Sequence, residues 1–102
     1  MATTNFKDIT LGELDESMTT QPDPNKDKYD FHYPLSDAPT KRWINILNDI
    51  RSHPRSLTQR KARVQGEYLI INCPKNELEK YHRPELLQDV LDTNKKYRQE
   101  LI

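Results

Sequence analysis

The sequence predicts a small two-layer α+β domain of order β-α-β(-β)-α. Two helices pack on a short, mostly antiparallel sheet, preceded by a disordered N-terminal tail. Three observations point there. Aromatic and polar residues alternate over 29–35, apolar residues recur at helical spacing over 43–50 and again after Pro84, and an unbroken apolar run fills 68–71. The chain has 102 residues, enough for one domain. Only 33% of them are hydrophobic and 31% are charged, so the core is small or part of the chain has none.

The composition changes near residue 29. Residues 1–28 read as a flexible acidic tail, and 29–102 as the folded domain. The stretch from Thr19 to Lys28 is polar and holds Pro22 and Pro24. It offers too little apolar surface to offset the entropy of ordering it. The piece before it is open to two readings. Phe6, Ile9 and Leu11 are stray apolar residues of a disordered tail, or they belong to a short segment, Phe6 to Met18, that docks on this domain or on a partner.

Phe31, Tyr33 and Leu35 alternate with Asp30, His32 and Pro34, which is a strand pattern. Pro34 has no N–H for a ladder, so this strand lies at an edge or ends early. Ser36 and Asp37 suit a helix N-cap and Pro39 its first turn. Trp43, Ile46, Leu47 and Ile50 then fall at i, i+3, i+4 and i+7, one apolar face of a helix that Pro54 stops at about Ser52. Residues 58–64 and 67–73 form a hairpin about Gln65-Gly66, or one long strand with a bulge at Gly66. The run Tyr68-Leu69-Ile70-Ile71 suggests a strand covered on both faces. Pro74 ends it, residues 75–82 make a short helical turn, and Pro84 opens the last helix. Leu86, Val90, Thr93 and Tyr97 line one stripe of that helix, and Leu87, Leu91, Asn94 and Leu101 the next. A dimer that buried the second sheet face would strengthen so small a core.

Charge is segregated although the formal net charge is zero. Residues 1–40 hold three cations and eight anions, a net −5; residues 41–63 hold seven cations and one anion, a net +6. The candidate anion- or partner-binding residues are therefore Arg51, Arg55, Arg60, Lys61 and Arg63, with Phe6, Ile9 and Leu11 as candidate docking residues of the tail. The competing reading is a solvated basic face, partly neutralised by the chain's own acidic tail.

Other chemistries have thin support. With two glycines there is no Gly-rich phosphate loop, and zinc-finger spacing and RNP-like aromatic strands are absent. Cys73 is the single cysteine, which rules out an internal disulfide, and a small buried side chain is its expected role. His32, His53 and His82 lack metal-ligand spacing, and no catalytic, cofactor or metal site is expected. Glu77 and Glu79 read as solvated surface. No apolar run approaches the roughly 20 residues of a membrane span, and no secretory signal is visible. The expected protein is a cytoplasmic, non-enzymatic protein-binding module, monomeric or weakly dimeric. Salt-sensitive nucleic-acid binding through 51–63 is the alternative.

Overall fold

The alternation around Phe31 and the apolar run at 68–71 become neighbouring strands. In the computed structural model, which describes residues 6–53 and 59–101, the strands are β1 (Asp15–Thr20), β2 (Tyr29–Pro34), β3 (Ala62–Gln65) and β4 (Tyr68–Cys73). They form one sheet in the order β1-β2-β4-β3, with every neighbouring pair antiparallel. Helix α1 (Lys41–Arg51) follows β2. A helical turn, α2 (Lys75–Glu77), a π-helical turn (Leu78–His82) and α3 (Arg83–Glu100) follow β4. The α+β class and two long helices match the sequence; β1 is an added strand.

Side chains at alternate positions settle which face is inside. Phe31, Tyr33, Leu69, Ile71 and Cys73 point into one core with Trp43 and Leu47 of α1 and Leu86 and Val90 of α3. Both helices therefore cover the same sheet face. Ile70 points the other way. It is buried there between its cross-strand neighbours His32 and Arg63, on a face that carries no helix among the described residues. The run Leu69-Ile70-Ile71 is thus buried on both faces, as expected, although helices cover only one of them among the described residues.

Several boundaries differ from expectation. Strand β2 is interior, and of the two readings for Pro34 it is the early end of the strand that holds. Pro34 is tolerated because it is the last residue of the strand, where a missing N–H interrupts nothing. The N-cap of α1 is Thr40, whose hydroxyl accepts from the Trp43 N–H at 3.2 Å, and not Ser36 or Asp37. Ser36 is otherwise engaged: its hydroxyl accepts from the Thr10 N–H at 2.9 Å. The hairpin reading holds for β3 and β4, and the turn is Gly66-Glu67, one residue later than expected. Gly66 has φ +61° and Glu67 does not share the positive φ, the pattern of a II′ turn. The helical turn and last helix run together through the π-helical turn, which widens the backbone just before Pro84.

Of the stretch 1–28 expected to be a flexible tail, residues 6–20 are packed on the domain, so of the two readings for Phe6 to Met18 it is docking on this domain that holds. Ile9 is buried in the core, with Phe6, Leu11 and Leu14 packed against it. Leu11 bridges to Leu35, and β1 pairs with β2 through an irregular register. Residues 21–28 form a turn-rich connection without helix or strand. The anchor is Asn94 of α3, counted above among an apolar stripe. Its amide accepts from the Ile9 N–H at 3.1 Å and donates to the Ile9 carbonyl at 2.8 Å. Leu91 and Leu101 of that stripe are exposed, because α3 turns the Leu86, Val90 and Thr93 side inward.

Candidate functional site

The basic segment 41–63 arrives at one sheet edge and at the end of α1. The structure brings most of its cations together and then pairs them. Arg51 is buried: its guanidinium meets Asp89 of α3 at 2.6 Å and donates to the Arg60 carbonyl at 2.7 Å. Its own carbonyl accepts from Gln59 at 2.6 Å. Arg51 is thus a clasp for the chain entering β3, not a surface group waiting for an anion. A charge this deep is held because its partner is equally deep.

Arg60 forms a two-pronged pair with Glu77, at 3.0 and 2.9 Å, and Glu77 also meets the imidazole Nε2 of buried His82 at 2.8 Å. Hydrogen bonds from Arg60 first and His82 second hold the Glu77 carboxyl down at about 2. The Glu77 bonds raise the Arg60 guanidinium above its ordinary value. The expected solvated carboxylate Glu77 is therefore a structural ion-pair centre. Glu79 remains exposed.

Arg63 lies on the open sheet face, where it reaches Asp30 of β2 at 3.2 Å. Asp30 also accepts from Asn72 of β4 at 2.9 Å, so one carboxylate ties three strands. Lys61 is exposed and makes no ion pair among the described residues. Arg55 lies outside the described residues. Among the described residues, the tail acids that form ion pairs meet α3 and not this segment: Asp8 pairs with Arg98, and Glu13 approaches Arg83 at 3.7 Å.

What remains is an open groove of about 760 Å³ along β3, lined by Lys28, Arg60, Lys61 and Arg63 with Pro22 and Asn72. Sequence reasoning missed Lys28, Asn72 and Asp30 here. They lie in the linker and on other strands, and no spacing connects them to 60–63. The backbone of β3 adds a second feature. The Asn72 N–H donates to the Lys61 carbonyl at 3.1 Å, and Ala62 stands opposite Ile71. Bonded and non-bonded pairs alternate in an antiparallel ladder, so the N–H and C=O groups of Ala62 and Val64 face away from β4. The free edge of the sheet is thus polar backbone beside a basic groove.

The candidate nucleophile and docking residues are spoken for. Cys73 is fully buried, and burial with the nearby Glu77 charge pushes its thiol up to about 11. Burial likewise raises the Tyr33 hydroxyl. Phe6 packs edge-on against Tyr97 at 4.6 Å. Ile9 belongs to the domain's own core, and Phe6 and Leu11 pack half-buried against it. Trp43 is fully buried, as its place on the apolar stripe suggests. Among the described residues no His, Cys, Asp and Glu side chains cluster to hold a metal ion, and no helix is long and apolar enough to cross a membrane. Comparison of the chain with family models, with curated proteins and with solved structures finds no match.

Proposed function

We propose that this protein is a small non-enzymatic protein-binding module of regulatory or accessory type. Its binding surface is the free edge of β3 with the basic groove beside it, and its partner presents an extended acidic segment. One observation carries the reading: the backbone groups of Ala62 and Val64 point outward from the sheet edge, and Ala62 lines a groove whose exposed Lys61 and nearby Lys28 lack ion-pair partners among the described residues. Main-chain bonds would supply affinity, and carboxylates set against the lysines would supply selectivity.

The same geometry weighs against nucleic acid as the ligand. Arg51, Arg60 and Arg63 are engaged by Asp89, Glu77 and Asp30, which leaves few cations for phosphate. The test is fluorescence anisotropy with three labelled probes: a peptide of alternating Glu and Val, single-stranded RNA and duplex DNA, each at low and near-physiological salt. The proposal expects the peptide to bind best and Lys61→Glu to weaken it. Tighter binding of either nucleic acid, with affinity falling steeply as salt rises, overturns it in favour of the phosphate-binding alternative.

A further inference from the structure

We infer that the segment held at β3 is two-faced: apolar side chains stand opposite Ala62 and Val64, against α1, and acidic ones alternate with them on the open face beside Lys61. This rests on reading the β3 edge as a binding surface, and it names what that surface selects. Register fixes the two faces of the edge. Ala62 and Val64 stand opposite Ile71 and Leu69, which point into the core, so both share the helix side. Arg63 stands opposite Ile70, and the Lys61 carbonyl accepts from Asn72. Lys61 and Arg63 therefore have the other parity, on the open side with Lys28 and Asn72.

The helix side of this edge is an unfinished piece of core. Ala62 and Val64 pack against the core yet are only half-buried, and so is Ile44 of α1. A recess of about 310 Å³ lies beside them, between Ala62 and the stripe of α1 that carries Asn48 and the C-cap Ser52, at i+4 and i+8 from Ile44. Arg51 and Arg60 also reach this recess, but Asp89 and Glu77 already hold them. Strand β3 is the last of the sheet, so no further strand covers Ala62 and Val64 among the described residues. A strand added there places every second side chain over this apolar strip and completes its burial.

The edge is short, so its choice of segment falls to side chains. Its outward main-chain groups are the N–H and C=O of Ala62 and of Val64. The next carbonyl in that series, of Arg60, is already taken by the Arg51 guanidinium at 2.7 Å, and past Gln65 the chain turns at Gly66. Main-chain bonds are the same for every sequence, and each gains little net against water. The unequal faces supply the choice. Lys61 is exposed and makes no ion pair among the described residues, so carboxylates belong on its side and apolar side chains on the other.

The experiment is fluorescence anisotropy of the full chain with three labelled peptides of equal length: alternating Glu and Val, alternating Glu and Thr, and a block of Glu followed by a block of Val. The first and third share composition and charge. Threonine keeps the branching and strand preference of valine, so the second changes the polarity of the row facing α1. The expected result is tightest binding of the Glu-Val peptide, with the other two at least about tenfold weaker. Asn48→Leu, at an exposed position of α1, extends the apolar strip and should widen the preference for Glu-Val over Glu-Thr about threefold. Equal binding of the Glu-Val and Glu-Thr peptides, or of the alternating and block peptides, or a preference that Asn48→Leu leaves unchanged, overturns the inference and leaves the β3 edge as a binding surface. A chain that is folded by circular dichroism and binds none of the three peptides overturns both.

Discussion

Asn94 holds three separate parts of the chain, and replacing it with leucine should cost a large share of the domain's stability. Its side chain is buried on α3. The oxygen accepts from the indole Nε1 of Trp43 at 2.9 Å and from the Ile9 N–H at 3.1 Å, while the nitrogen donates to the Ile9 carbonyl at 2.8 Å. Leucine has the same branching and heavy-atom count but bulkier methyl groups, so Asn94→Leu removes the bonds without opening a cavity and adds some overpacking to their loss. Each lost bond is worth about 0.5–1.5 kcal/mol, and a buried group left without a partner adds about 1–3 kcal/mol. A total loss of about 3–5 kcal/mol is expected, against a whole-domain stability of about 5–15 kcal/mol. Urea denaturation followed by Trp43 fluorescence measures it, since Trp43 is the single tryptophan and loses its own bond. Hydrogen exchange at Ile9 should accelerate beyond what the global loss explains, because the N-terminal segment is released first. Leu91→Asn, on an exposed position of the same helix, is the control and should stay within about 0.5 kcal/mol of wild type. An Asn94→Leu protein as stable as that control would refute the claim that the amide anchors residues 6–20.

Three further outcomes follow from the same packing. Asp89→Asn strands the buried Arg51 guanidinium and should cost about 3–5 kcal/mol in urea denaturation; the paired change Arg51→Met with Asp89→Leu should recover much of it. The Glu77 carboxyl is held down at about 2, so its contribution is fully present above about pH 5 and is lost as pH falls toward 2; the thermal midpoint should drop across that window in wild type and less in Glu77→Gln, and parallel curves would refute the Arg60–Glu77–His82 assignment. Gly66→Ala meets no atom within 4 Å, so only its φ of +61° penalises it; a loss of about 1–2 kcal/mol with unchanged binding of the Glu-Val probe is expected.

The helices and the central hairpin were legible because their signals are local and periodic. Trp43, Ile46 and Leu47 repeat at helical spacing and are buried on one face; Tyr33 and Phe31 alternate and are buried on another. Strand β1 was not legible. Its residues, Asp15-Glu16-Ser17-Met18-Thr19-Thr20, have neither alternation nor a run of β-branched side chains. What anchors the chain leading into it is remote: Asn94 lies 85 positions from Ile9, and no pattern within a window of ordinary length joins them. Asn94 falls at helical spacing among leucines, so periodicity gave it an apolar role that its amide contradicts.

Charge segregation misled in a related way, and the reason bears on what the basic segment is for. A sum over a stretch of chain counts cations without knowing what the fold sets opposite them. Here the partners come from elsewhere: Asp89 from the last helix, Glu77 from the turn before it and Asp30 from β2. Each pair fastens the chain around β3 to another element, and so stiffens the edge strand from behind. A strand held that way loses little further freedom when a second strand is added, which favours binding at modest contact area. Lys61, beside β3, makes no ion pair among the described residues, and it lies with Lys28 at the groove. Removing the paired arginines should therefore impair binding through loss of order in β3, while removing Lys61 should impair it with the fold intact. On the proposed reading, that difference separates the residues that build the surface from those that would meet a partner.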